Sequence, residues 1–393
     1  MIYTIPFVST IPQLNGIGTV SLLGEKFAAF NCKKVMIMYD KGVEATGIPM
    51  QVDEVLKSAQ IETVHFNGIE TDPPDTVCHA ATKIAKDEDI DGIIAIGGGS
   101  AMDTGKAVKL LKTNPGVIQD YLDDYSFVPE TPSIPLVVIP TTSGTGAEAS
   151  RGGVITDTVA KRKGIITGPG AVADFAIIDP TLTMGLPPRI TAATAFDAMA
   201  HCMGAMYNKK TDATTQEICA KGLELFQRSL IEVYYNGQNN LEARADMATA
   251  ANFGGLALVS ASCTLDHAFG HSIGAYFEHH FHGETVAWME PASIEACADV
   301  MPEEVKKIAK AMHVSYTQTD TPVEIAQKIG RKIVAMAKSV NMPPIQSICP
   351  TPEEMYPIIP LAQKDPQGFN SVVELTDEVC KWVIDRTFEY WSV

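Results

Sequence analysis

Histidine is concentrated in one short stretch of this chain. Five of its nine histidines fall in HAFGHSIGAYFEHHFHG, residues 267–283, and an Asp-x3-His pair, Asp197 and His201, lies upstream in AFDAMAH. Imidazole nitrogens and a carboxylate oxygen form a donor set suited to a divalent first-row metal, and without thiolates iron, zinc and manganese all fit it. These residues therefore predict a metal site.

The spacing of these residues places them on common helical faces. Asp197 and His201 are four residues apart, as are His267 and His271, so each pair shares one face of a helix. Small apolar residues surround the first pair, and a carboxylate and an imidazole buried there need a partner. A simple hydrogen bond between them is the alternative to a shared metal. Not all five histidines of 267–283 can be ligands, and the others are expected to contact substrate or relay protons.

A glycine-rich loop predicts a dinucleotide site. Gly97, Gly98, Gly99 and Ser100 stand between an apolar run and a helical segment. Glycines let the backbone approach a ligand closely, and a helix N-terminus offers free N–H groups to a pyrophosphate. A tight strand-to-helix turn is the alternative. The segment is not a nucleotide-triphosphatase loop, because it lacks the first glycine and the final hydroxyl residue of that motif.

A second loop, TTSGTGAEAS at residues 141–150, follows another apolar run. It matches the GxGxxA form of the dinucleotide fingerprint but has no acidic residue at the expected distance after it. We interpret it as a loop lining the same crevice, where Thr141 and Thr142 could bind a base or a phosphate. An ordinary turn is the alternative.

Asp40 ends the apolar run VMIMYD. A carboxylate at this place would accept hydrogen bonds from ribose hydroxyls and repel a 2′-phosphate, which favours NAD over NADP. The alternative is that Asp40 caps the N-terminus of the following helix.

The first half of the chain alternates strand and helix signals. Its strand candidates are continuous apolar runs, which are typical of strands buried on both faces. These runs are residues 34–40, 61–66, 91–99 and 134–140, and helical segments lie at 76–88 and 100–113. This alternation predicts a doubly wound, mostly parallel α/β sheet that binds ligands at the carboxyl ends of its strands.

The second half has almost only helix signals after Pro187 and Pro188. We therefore predict two domains, an α/β dinucleotide-binding domain at residues 1–184 and an all-α metal and substrate domain at 185–393. The uncharged segment 247–265 is about long enough to span a bilayer, but its residues are small and partly polar. We interpret it as a buried helix, with a possible break at Gly254 and Gly255.

Charge and cysteine content exclude several classes of protein. A formal net charge of -17 argues against nucleic acid as a partner. The N-terminus has no signal-peptide pattern, so we expect a cytoplasmic protein without membrane association. The eight cysteines are scattered and form no CxxC pair, which argues against a zinc–thiolate site and against a disulfide framework.

Four motifs together resemble those of the iron-containing (group III) alcohol dehydrogenases. They occur in the family's order, as GGGSAMDTGKA, IPTTSGTGAEAS, DPTLTMGLPPRITAATAFDAMAH and HAFGHSIGAYFEHHFHG. The resemblance implies a dinucleotide-binding α/β domain, an all-helical C-terminal domain and a metal in the cleft between them. It also implies a divalent metal, with Fe²⁺ favoured and Zn²⁺ possible, and a homodimer or larger assembly.

The resemblance assigns a role to each motif residue by position. The metal ligands would be Asp197, His201, His267 and His282, and His271 would be the additional active-site histidine. Cofactor contacts would come from Gly97, Gly98, Gly99, Ser100, Thr141 and Thr142, with Asp103 near the nicotinamide end.

This chain also departs from the family pattern. HHFHG replaces the family's PHG, so His279 or His280 could substitute for His282 as the last ligand. Gly204 stands where the family usually has Glu. The segment KDPQGFNSVVELTDE only loosely resembles the family's closing Asn-Pro motif. The resemblance implies that this segment helps to shape the substrate pocket.

These residues predict hydride transfer between a nicotinamide cofactor and a small alcohol or its carbonyl product. The metal would act as a Lewis acid, and His271 would relay the proton toward solvent. A glycerol or polyol dehydrogenase and a dehydroquinate-synthase-like zinc enzyme are alternatives on the same fold, although no basic cluster for a phosphorylated substrate lies beside the metal motifs. A non-enzymatic metal- or nucleotide-binding module is a further alternative.

Overall fold

The computed structural model describes residues 11–124 and 133–392. The described residues divide into two compact units, one formed by residues 11–142 together with Gly146–Gly185, and one by Ser143–Thr145 together with the residues from Leu186 onward. The first is the α/β unit and the second is the helical unit.

A six-stranded sheet organises the α/β unit. Its strands run in the order β1-β8-β5-β4-β2-β3, and every neighbouring pair is parallel. They are β1 Gln13–Asn15, β2 Lys34–Met38, β3 Glu62–Phe66, β4 Gly92–Gly97, β5 Leu136–Pro140 and β8 Phe175–Ile178. Strands β4, β5 and β8 are buried at every residue, as their continuous apolar runs predict. The predicted parallel sheet is confirmed.

Helices cover both faces of this sheet. They are α1 Leu23–Ala29, α2 Lys41–Ala45, α3 Ile48–Ser58, α4 Asp75–Asp87 and α5 Gly99–Thr113. Alternate residues of β2 point to opposite faces of the sheet. Val35 and Ile37 pack with residues of α1 and α3. Met36 and Met38 pack with residues of α4 and α5. Each such buried side chain contributes about 2 kcal/mol. The double winding predicted from the alternation of strands and helices is therefore confirmed.

An antiparallel hairpin, which the sequence analysis did not predict, follows the second glycine loop. It consists of β6 Gly152–Asp157 and β7 Arg162–Thr167. Its sequence signal is weak because β6 starts with two glycines. Lys106 of α5 is fully buried and fixes the backbone that leads into the hairpin. Its Nζ donates to Ala147 O (2.8 Å), Ser150 Oγ (2.9 Å) and Gly152 O (2.7 Å).

We expect Lys106→Met to lower the free energy of unfolding by about 3–5 kcal/mol, because it leaves buried acceptors and the Asp103 carboxylate without their donor. Urea denaturation measures this change. The control is Lys83→Met on α4, whose exposed ion pair with Asp87 is worth less than about 1 kcal/mol. Equal stability of the two variants would contradict the role of Lys106.

The helical unit contains all the remaining α-helices of the described chain, which confirms the predicted all-α second half. The longer helices are α6 Pro188–Met206, α7 Ala213–Asn236, α8 Leu241–Ser260, α9 Leu265–Tyr276, α10 His282–Cys297, α11 Pro302–Ala311, α12 Pro322–Ser339 and α15 Asp377–Trp391, with the short α13 Pro352–Met355 and α14 Ile359–Ala362 between the last two. Helix α6 is central, since nearly every residue after Ile190 is buried. Its many alanines allow neighbouring helices to approach it on all sides.

The uncharged segment 247–265 folds as a buried helix, but its break is not where we predicted it. Helix α8 runs without interruption through Gly254 and Gly255 and ends at Ser260, and α9 begins at Leu265. The packing of both glycines inside the unit keeps the helix regular there. No single helix of the described residues is long and apolar enough to cross a membrane; only α8 and α9 taken together, bent by 102°, meet that test by length and composition.

Candidate active site and metal centre

Three helices of the helical unit bring the predicted metal ligands together. Asp197 and His201 lie one turn apart on α6, His267 lies in the first turn of α9, and His282 is the first residue of α10. Their donor atoms surround Asp197 Oδ1, which lies 3.5 Å from His201 Nε2, 3.7 Å from His267 Nε2 and 3.6 Å from His282 Nε2.

The chain reaches this arrangement through a close helix contact. A Cβ added to Gly283 would lie 1.7 Å from the carbonyl oxygen of Ala193, so only glycine lets the start of α10 approach α6 here. Ala193 is one turn before Asp197 on the same helix. The contact therefore sets His282 beside Asp197.

His279 and His280, the alternatives for the last ligand, are not brought to Asp197 in this way. The side chain of His279 is 91% exposed, and its Nε2 lies 3.9 Å from Glu278. The ring of His280 lies 6.4 Å from that of Trp288. The geometry thus favours His282, although the assignment of the ligand stays a prediction.

The donor atoms of this cluster fit a divalent metal. Asp197 Oδ1 and His267 Nε2 are buried and have no hydrogen-bond partner among the described residues. Buried polar atoms normally have a hydrogen-bond partner or a bound ion. Two unpartnered buried atoms that face each other therefore indicate a ligand that both of them contact. Ligands held at about 2.1 Å around a tetrahedral ion would be roughly 3.4 Å apart, close to the observed spacing.

The electrostatics of Asp197 agree with this interpretation. Burial alone would raise the pKa of its carboxyl, but the facing imidazoles of His201, His282 and His267 lower that pKa well below its usual range. The site therefore presents a carboxylate anion, which is the form that coordinates a metal.

Cys263 belongs to the same cluster and was missed by the sequence reasoning. His201, Cys263 and His267 each offer a donor atom within 4.8 Å of the others, and all three are buried. Burial would raise the pKa of the Cys263 thiol, but the imidazoles of His267 and His201 lower it. Because no two cysteines form a CxxC pair, the sequence argued against a thiolate site. The spacing of Cys263 and His267, four residues apart, was the available signal.

His271 stands at the exposed side of the cluster. Its ring stacks on that of His282 at 5.3 Å, and its side chain is 42% exposed. His271 Nδ1 donates to Asp365 Oδ2 at 2.9 Å, which leaves Nε2 as the acceptor nitrogen. Asp365 lies in the segment KDPQG, and no motif in the sequence identified it as the partner of His271.

The predicted phosphate loop in the α/β unit has the expected form. Gly97 ends β4 with φ +152°, Gly98 caps α5 without a side chain, and Gly99 and Ser100 are the first two helical residues. A Cβ on Gly97 would lie 2.7 Å from that of Ala101, so the loop depends on glycine. The first backbone N–H groups of α5 have no intrahelical partner and can bind an anion.

Asp40 caps a helix, as the alternative interpretation predicts, and its second carboxylate oxygen can still bind a ribose hydroxyl. Its Oδ1 accepts from Val43 N at 2.8 Å as the N-cap of α2. Its Oδ2 faces the glycine loop, because a Cβ on Gly97 would lie 3.8 Å from it. Helix capping and ribose binding can therefore coexist in one carboxylate.

The remaining predicted cofactor residues are close to the same strand end. Thr141 N donates to Gly97 O at 3.0 Å, and Thr142 Oγ1 lies 3.5 Å from a Cβ added to Gly98. The carboxylate of Asp103, in contrast, is held by Val154 N (2.9 Å) and Lys106 Nζ (3.3 Å). These two bonds tie Asp103 to the β6–β7 hairpin, and its contact with the cofactor stays a prediction.

Comparison with known proteins identifies relatives across the chain. A family model described as iron-containing alcohol dehydrogenase matches residues 13–180, and one described as the C-terminal part of the Fe-containing alcohol dehydrogenase family matches residues 191–378. The choline dehydrogenase of Bacillus subtilis (strain 168) is 32% identical over 95% of this chain and 92% of its own length. The NAD-dependent methanol dehydrogenase of Bacillus methanolicus is 32% identical over 67% of this chain and 68% of its own length. A crystal structure of a 1,3-propanediol oxidoreductase superposes with a TM-score of 0.92 at 26% identity, covering 98% of this chain and 100% of that one.

Proposed function

The chain belongs to the iron-containing alcohol dehydrogenase family and is a metal-dependent alcohol oxidoreductase; from this we propose that it transfers a hydride between NAD and a small alcohol or the corresponding carbonyl compound. The observation that carries the proposal is the approach of three histidine Nε2 atoms to within 3.5–3.7 Å of Asp197 Oδ1. A structural carboxylate–histidine bond would need only one of them.

Asp197, His201, His267 and His282 would hold the metal, with Fe²⁺ favoured and Zn²⁺ possible. When bound, the metal supplies a Lewis acid that polarises the substrate oxygen. The four residues lie on α6, α9 and α10, all within one packed unit, so the ligand set is formed before any substrate binds. Such preorganisation is what electrostatic catalysis requires.

His271 would carry the hydroxyl proton of the alcohol toward solvent. Its partly exposed ring is next to His282, and Asp365 holds its Nδ1–H, which leaves Nε2 free to accept a proton. Asp365 would also stabilise the imidazolium that forms when His271 accepts this proton. In the reverse direction the same nitrogen would return the proton.

NAD would bind at the carboxyl end of the parallel sheet. Gly97, Gly98, Gly99 and Ser100 would receive the pyrophosphate at the N-terminus of α5, and Thr141 and Thr142 lie against this loop. Bound there, NAD would supply the nicotinamide ring as the hydride acceptor or donor. Asp40 Oδ2 would accept from a ribose hydroxyl, which favours NAD over NADP.

The experiment that tests this function is nicotinamide turnover by protein purified without oxygen and reconstituted with Fe²⁺ or Zn²⁺. The panel would contain small aldehydes, ketones, alcohols, glycerol, other diols and hydroxy acids, each with NAD(H) and NADP(H). We expect turnover of at least one small alcohol or aldehyde with NAD(H). Bound iron without turnover on any member of the panel would overturn the proposal, and turnover of glycerol would identify a polyol enzyme.

A cytoplasmic location and a homodimer or larger assembly complete the proposal. Size-exclusion chromatography would test the predicted assembly.

A further inference from the structure

Two carboxyl groups are buried directly behind the metal cluster. Asp266 on α9 and Glu290 on α10 are both fully buried. No lysine or arginine within the described residues forms an ion pair with either of them; their partners are His267 and Tyr207. A buried carboxyl without a cationic partner is expensive, so two in contact need a physical reason.

Asp266 is bonded to the inner nitrogen of a predicted metal ligand. His267 Nδ1 donates to Asp266 Oδ2 at 2.6 Å, while His267 Nε2 faces Asp197. A neutral imidazole has one N–H and one lone pair, so the bond to Asp266 places the lone pair on Nε2. That is the tautomer which a metal requires at this position.

Glu290 and Tyr207 continue this chain of contacts away from the metal. The Tyr207 hydroxyl donates to Glu290 Oε1 at 3.0 Å. Asp266 Oδ1 and Glu290 Oε2 are both buried, and neither accepts a hydrogen bond from any other group among the described residues, but the two carboxyl groups are within hydrogen-bonding reach of each other. A single proton on Glu290 Oε2, donated to Asp266 Oδ1, satisfies both atoms at once. Burial and the neighbouring Asp266 raise the pKa of Glu290 well above its usual range, which agrees with a neutral acid.

Room for Asp266 comes from a residue at which this chain departs from its family. A Cβ added to Gly204 on α6 would lie 3.2 Å from Asp266 Oδ1, a distance at which the carboxylate would have to move. Gly204 and Asp266 are therefore matched features of this chain.

We propose that Asp266 is the positioning residue of the metal centre: it holds His267 in the tautomer and orientation that direct Nε2 to the metal, and it is itself held by Glu290 and Tyr207 in the space beside Gly204. This inference rests on the role of His267 as a ligand in the proposed function. Carboxylates that bond a metal-ligating histidine in this way typically contribute 10- to 100-fold to metal affinity.

The test measures Zn²⁺ binding by the full-length apoprotein in competition with a chromophoric chelator. We expect Asp266→Asn to raise the Kd for Zn²⁺ about 10- to 100-fold. Glu290→Gln should bind Zn²⁺ within threefold of wild type, because its amide can donate to Asp266 as the protonated acid does, whereas Glu290→Leu should bind more weakly. Asp365→Asn is the matched control: it alters the carboxylate on His271 Nδ1, and its Zn²⁺ affinity should stay within threefold of wild type.

A second measurement does not depend on the folding of any variant. In wild-type protein with ¹⁵N-labelled histidine and bound Zn²⁺, NMR should show His267 with its proton on Nδ1 in a strong hydrogen bond. Asp266→Asn with wild-type Zn²⁺ affinity, or Zn²⁺-bound wild-type protein in which His267 has no hydrogen-bonded proton on Nδ1, would overturn the inference. Failure of the proposed function has a different signature, namely normal Zn²⁺ affinities without nicotinamide turnover.

Discussion

His267→Ala is expected to lose the metal and the activity together. The substitution removes the predicted ligand that both candidate donor sets share, and with it the nitrogen that faces Asp197. Lewis-acid stabilisation is worth several kcal/mol, so kcat/KM should fall by about a thousandfold or more. Metal content by elemental analysis and turnover with the best substrate of the panel, measured on the same sample, check the prediction.

The neighbouring histidines provide matched controls in the same segment. His282→Ala should behave like His267→Ala, whereas His279→Ala, at an exposed side chain, should keep its metal. His280→Ala should also keep its metal. If the metal is lost on replacement of His279 or His280 but retained without His282, the last ligand is assigned to the wrong residue.

Replacing Asp40 with serine should shift the enzyme from NAD toward NADP. Serine caps a helix as well as aspartate does, so the bond to Val43 N and the start of α2 are retained while the negative charge is lost. Like charges in contact cost several kcal/mol, so the ratio of kcat/KM for NADP to that for NAD should rise about 100-fold. Steady-state kinetics with both cofactors measure this ratio.

Glu44→Gln is the control for a general change of charge. Glu44 also lies on α2 and bonds Lys41 and Asn67, so its loss removes one negative charge from the same helix. The cofactor ratio should stay within threefold of wild type. An unchanged ratio in Asp40→Ser would show that the ribose is recognised elsewhere.

Most of the fold could be predicted because its signals are local. The strand cores of residues 92–97 and 136–140 are apolar at nearly every position, and this pattern depends only on burial of both faces. The β6–β7 hairpin escaped prediction because only one face of β6 is buried and its glycines hide the alternation. Helix α8 continues through Gly254 and Gly255 because of the packing around them. The helix propensities of single residues do not predict this packing.

The sequence by itself determined which kinds of groups form the site. Asp197 and His201 share a helical face through their spacing alone, and the glycines of residues 97–99 form a phosphate loop because a strand end and a helix start are adjacent in the chain. Such relations span at most a few residues, and backbone geometry fixes them.

Only the tertiary structure decided how these groups meet across long separations. Gly283 packs against Ala193, ninety residues earlier, and this contact brings His282 rather than His279 to Asp197. Cys263, Asp266 and Asp365 lie beside histidines of the site but belong to no recognisable sequence motif. Their roles arise from close packing between helices, which fixes side-chain positions to within a few tenths of an ångström and leaves no periodic trace in the chain.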